Sequence, residues 1–104
     1  MSVPHSIDLC VAVSVNPDGT LRVSDGATQV TRTAEGSYTL TFGGEFPASE
    51  LLIMPAVDSP PGVGLPSPAT DPSVGTILVN TFDAGGALAD QGWTMLVYRV
   101  LPQQ

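Results

Sequence analysis

The sequence predicts an all-β chain, an antiparallel β-sandwich or jelly-roll-like domain of about seven to eight short strands with one long proline-rich loop. Three observations predict it. Apolar and polar residues alternate with a period of two along most of the chain, 11 glycines and 10 prolines punctuate its 104 residues, and helical periodicity is hard to find among so many breakers. At this length the whole of 1–104 is one domain, with an expected radius of gyration near ~13 Å.

The elements follow in order. IDLCVAVSV (7–15) puts Ile7, Leu9, Val11, Val13 and Val15 on one face of a strand, with Cys10 and Ala12 behind them. NPDG then reads as a turn in which Pro17 presets φ and Gly19 closes, returning into TLRVS. ATQVTRT (27–33) is a threonine-rich strand that AEGS joins to SYTLTF as a hairpin. In SYTLTF, Tyr38, Leu40 and Phe42 face the core, and Thr39 and Thr41 face out. SELLIMPAV is apolar on both faces and contains Pro55, which lacks a ladder donor and predicts an edge position or a bulge. DSPPGVGLPSPATDPS (58–73) holds half of the chain's prolines and predicts a stiffened surface loop with few regular hydrogen bonds, in contact with a neighbouring protein through Pro60, Pro61, Val63, Leu65 and Pro66. TILVNTF and WTMLVYRV are the last strands, joined by the glycine-rich DAGGALADQG.

Charge narrows the partners. Three arginines, no lysine and ten carboxylates give a net charge of −7. Phosphate backbones and anionic membrane surfaces are bound by cations, so the balance argues against nucleic acid and membrane as partners. The carboxylates are spread through turns and read as solubilising surface. No apolar run reaches the ~20 residues of a membrane helix, and the first residues lack the basic start and long apolar core of a secretion signal.

Reactive chemistry is sparse, and the expectation is a protein that is not an enzyme. The single histidine, His5, lies near the N-terminus, and Cys10 is the single cysteine, read as a small buried hydrophobe. Asp8, Asp18, Asp25, Glu35, Glu45, Glu50, Asp58, Asp71, Asp83 and Asp90 fall mostly at turns or strand ends, where aspartate serves turn chemistry rather than paired acid–base work. NPDG and SDG do not continue into a calcium loop, and the paired glycines lack the strand-to-helix setting of a phosphate cradle. Trp93 and Tyr98 read as core rather than as a sugar platform. No metal, cofactor or catalytic residue is expected.

Three strands are apolar on both faces. Leu52, Met54 and Ala56 stand opposite Leu51, Ile53 and Val57; Cys10 and Ala12 stand behind the first stripe; Leu96, Tyr98 and Val100 stand opposite Met95 and Val97. A small domain has one core, so the surplus faces predict self-association, with Leu96, Tyr98 and Val100, or the opposite face of that strand, and Leu52 and Met54 as the contacts.

NPDGTLRVSDGATQVTRTAEGSYTLTF and the closing TFDAGGALADQGWTMLVYRV resemble a small β domain of actinobacterial bacteriophage and prophage virion proteins, of the tail-fibre C-terminal or capsid-decoration type. The likeness spans about residues 10–46 and 77–100 and leaves the proline-rich segment uncovered. Its motifs are patterns (DGTL, a valine-threonine strand, G-x-Y-x-x-x-F, a terminal VYRV) rather than reactive sites. Some family members carry cysteines in later strands where this chain has none, so no disulfide is carried over. The resemblance implies a virion structural role as a homotrimer, assembled in the bacterial host cytoplasm. With no shaft or coiled coil before the domain, the expectation is a capsid decoration or accessory head protein whose partners are copies of itself and the major capsid protein or another virion protein. The alternatives are a tail-fibre or receptor-binding tip that contacts host surface glycan, and a small hydrolase.

Overall fold

Alternation sorts eight strands into two four-stranded antiparallel sheets. The computed structural model describes residues 6–42, 48–59 and 62–101. The strands are β1 (Ser6–Val15), β2 (Leu21–Asp25), β3 (Ala27–Ala34), β4 (Ser37–Phe42), β5 (Leu51–Val57), β6 (Ala69–Ser73), β7 (Thr76–Asn80) and β8 (Trp93–Leu101), with a short 3-10 turn at Ala48–Glu50. Sheet A runs β2-β1-β8-β5 and sheet B runs β3-β4-β7-β6.

The core lies between the sheets. Val11, Val13, Val15, Trp93, Met95 and Val97 from sheet A meet Tyr38, Leu40, Phe42, Ile77 and Val79 from sheet B, all of them buried. Tyr38 and Trp93 meet edge to face, with ring centroids 5.6 Å apart. Thr39 and Thr41 stand on the other side of β4, as its alternation requires.

Tight turns close three hairpins. Between β1 and β2, Gly19 at φ 92° donates to the Asn16 carbonyl at 2.9 Å, and Asp18 accepts from the Thr20 amide at 2.9 Å and hydroxyl at 2.6 Å. Glu35–Gly36 joins β3 to β4, and Val74–Gly75 joins β6 to β7. Gly26 turns the chain from sheet A into sheet B, and the other connections also cross between the sheets.

Two expectations need correction. Residues 58–73 are not a loop throughout, because their last five form β6, which pairs with β7 from Ala69↔Asn80 to Ser73↔Thr76. Pro72 is tolerated because β6 is an edge of sheet B, just as Pro55 sits in β5 at an edge of sheet A. The second correction is the phase of β1. Leu9 pairs with Tyr98, while Val11 pairs with the adjacent Val97, so Cys10 is an extra residue in a β-bulge. The bulge moves Ile7 and Leu9 off the core face, where they are 60% and 50% exposed, and leaves Cys10 only partly buried at the margin of the core.

Candidate functional site

The two outer faces of the sandwich differ in chemistry. On sheet B, Thr31, Thr39, Leu78 and Asp71 form one cross-strand row, and Gln29, Thr41, Thr76 and Ser73 form the next. Leu78 is an isolated apolar residue among hydroxyls. On sheet A the rows are apolar: Val100 beside Ile7, Tyr98 between Leu9 and Leu52, and Leu96 between Ala12 and Met54. Thr94, between Ser14 and Ala56, ends the field and donates to the Ser14 hydroxyl at 3.3 Å.

The five residues that the sequence singles out for self-contact therefore share one surface. Leu52 and Met54 are half exposed on β5, while Leu96, Tyr98 and Val100 are partly covered because β8 has a neighbour on each side. Of the two aromatics read as core, Trp93 is fully buried but Tyr98 is not a core residue, since it follows the outward parity of Leu96. Sequence reasoning missed Ile7 and Leu9 on this face, along with Val23 of β2, which stands opposite Ser14 and is 62% exposed.

In the proline-rich segment Val63 is exposed, Leu65 and Pro66 are partly buried and Pro68 is buried. The Ser59 hydroxyl bonds the Val63 carbonyl. Pro60 and Pro61 lie outside the described residues, as does His5.

One carboxylate does more than turn chemistry. Asp90, in the β7–β8 connection, accepts from Arg32 Nε at 2.9 and 3.0 Å and from the Gly36 amide at 2.7 Å. The Tyr38 hydroxyl donates to the Pro17 carbonyl at 2.7 Å, with Asp90 Oδ1 3.4 Å away. Buried Thr81 adds a bond from its hydroxyl to the Ala89 carbonyl at 2.6 Å. These contacts tie the connection to the β3–β4 hairpin and close one end of the sandwich. The Arg32 and Gly36 bonds hold the Asp90 carboxyl below its ordinary range, whereas burial raises the Tyr38 hydroxyl.

The sign for stability follows from Asp90. Its folded pKa lies below the unfolded value of about 3.9, so its stabilisation is complete above that pH and is lost as pH falls through the folded value. The Thr20 bonds make Asp18 act in the same direction. Asp90→Asn is expected to lower the melting temperature at pH 7 and to shrink its further fall below pH ~4. Acid limbs of equal steepness in the two proteins would rule this out.

The remaining carboxylates are dispersed. Arg22–Asp58 and Arg99–Glu50 are ion pairs near opposite ends of sheet A, partly exposed and of modest energetic weight. Among the described residues no three His, Cys, Asp or Glu side chains converge as a metal site, and no pocket is formed. The surface feature that stands out is thus the apolar outer face of sheet A. No family model, curated protein or solved structure matches the chain.

Proposed function

We propose that the chain is a structural subunit of a bacteriophage virion, a capsid decoration or accessory head protein that associates with copies of itself and binds the assembled shell. The observation that carries the reading is the one-sided sandwich: an apolar outer face on sheet A and a hydroxyl-rich one on sheet B. An apolar sheet face is stabilised when it is removed from water, at about 25 cal/mol for each Å² buried. The likeness of residues 10–46 and 77–100 to actinobacterial phage proteins supplies the virion context and the trimer. Closed symmetry suits such a subunit, because an open repeating contact would polymerise. In this reading the proline-rich segment, where Val63 is exposed, supplies a second surface for the shell protein.

The test is the mass of the isolated chain in solution together with co-sedimentation on heads of its own phage that lack it. The wild type is expected to form a closed oligomer and to pellet with the heads. Leu96→Asp, which places a carboxylate between Ala12 and Met54, is expected to be a folded monomer with at least about tenfold lower occupancy. A wild-type chain that stays monomeric and remains in the supernatant would overturn the proposal.

A further inference from the structure

We infer that the surface through which copies of this chain meet includes β1, and that the Cys10 bulge is the device that puts Ile7 and Leu9 there. The inference rests on the self-association proposed above and names residues that alternation alone assigns to the core. Without the extra residue, Ile7 and Leu9 would continue the inward stripe of Val11, Val13 and Val15, and Asp8 would point outward beside them. With it, Asp8 pairs with Arg99 on the inner parity, and the outer face gains two aliphatic side chains beside Val100 and Tyr98. The bulge is seated on Gly26, whose backbone lies against the Cys10 carbonyl so closely that a Cβ there would overlap it.

The occupant is a second copy, for reasons of charge and of area. The chain carries a net charge of −7, so copies repel wherever their carboxylates face each other. On this face the cross-strand rows hold no charged residue except Asp25, which lies at the β2 rim opposite Ala12. The outer rows of sheet B are as poor in charge, with Asp71 alone, but their hydroxyls gain little by leaving water, so the face that is both neutral and apolar is the one on which like molecules can meet. Ile7, Leu9, Val23, Leu52 and Met54 are each half exposed or more. Taking roughly 150–200 Å² for a fully exposed residue and only the exposed fraction of each, with a smaller share from the partly covered Leu96, Tyr98 and Val100, the face offers on the order of 600 Å², against about 800 Å² that one partner buries in a standard interface. Omitting Ile7 and Leu9 would remove about a third of it.

The experiment compares the full chain with Leu9→Asp, Leu96→Asp and Leu78→Asp by sedimentation equilibrium. It is paired with methyl spectra of the wild type, diluted through its dissociation. Leu9→Asp is expected to weaken association about tenfold or more, as Leu96→Asp does, while Leu78→Asp, on the polar face of sheet B, leaves it unchanged. The Ile7 and Leu9 methyl signals are expected to shift on dilution while those of buried Ile77 stay fixed. These wild-type spectra decide the matter if Leu9→Asp does not fold. Association that survives Leu9→Asp, or Ile7 and Leu9 methyls indifferent to dilution, would overturn the inference, and loss of association in Leu96→Asp alone would leave the proposed function standing. A wild type that is monomeric at every concentration would overturn the inference, and one that also fails to pellet with the heads would overturn the proposed function as well.

Discussion

Leu40→Ala is expected to destabilise the fold by about 2–5 kcal/mol, because it removes a side chain from the centre of the inner face of sheet B. Leu40 is completely buried, pairs with Val30 on one side and Ile77 on the other, and belongs to the cluster that meets Val11, Val13 and Val97 across the sandwich. Its removal loses the transfer free energy of the deleted methyl groups and adds the cost of a cavity that neighbours on paired strands can close only in part. Urea denaturation should show the midpoint falling with an unchanged slope. In a domain of this size each kcal/mol lowers the melting temperature by about 4–8 °C. Leu78→Ala on β7 is the contrast: it points to the solvent face at 46% exposure, and its effect should stay within about 0.5 kcal/mol. Equal losses at the two positions would overturn the assignment of faces in sheet B.

Gly26→Ala is expected to cost about 3 kcal/mol or more, a loss from two separable causes. The first is conformation: Gly26 has φ 85°, and a residue with a Cβ loses roughly 1–2 kcal/mol in that left-handed region. The second is space, since the added Cβ would fall on the Cys10 carbonyl oxygen, a backbone atom held inside β1. Relief requires the bulge or the corner from β2 into β3 to move. Gly62 separates the two causes, because its φ of 82° is nearly the same but, its chain neighbours aside, nothing lies within 4 Å of an added Cβ. Gly62→Ala should therefore lose the conformational part alone. Similar melting temperatures for the two variants would show that the Cys10 bulge relaxes at little cost and that Gly26 does not hold it.

Much of the scaffold is legible in the residues because it depends on local rules. Tyr38, Leu40 and Phe42 alternate with Thr39 and Thr41 over a strand that follows the Glu35–Gly36 turn, and an extended backbone leaves such a pattern one sensible orientation. Asn16, Pro17, Asp18 and Gly19 specify their turn by intrinsic φ preference and by the reach of short side chains to nearby amides. Pro55 marks a sheet edge because it has no amide to give. That one apolar face of β5 and one of β8 must be surplus is equally plain, since a strand apolar on both sides of a two-layer fold turns one side away from the core; which face of β8 it is, and that Tyr98 lies on it, came from its pairing with β1 and β5.

What only the tertiary structure decided depends on partners distant in the chain. Nothing within IDLCVAVSV interrupts its alternation. The bulge at Cys10 arises where β1 is matched to β8 and packed on Gly26, and that long-range match moves Ile7 and Leu9 from the core to the outer surface. Pro72 reads as a barrier to pairing until β7 presents its free edge, where a proline can be accommodated. Asp90 looks like one more turn aspartate, and becomes a clasp only because folding brings Arg32 and Gly36 within hydrogen-bond distance of it. Period and turn chemistry act between near neighbours and are written in order along the chain. Strand register and long-range hydrogen bonds are settled jointly by two segments, so neither segment read alone contains them.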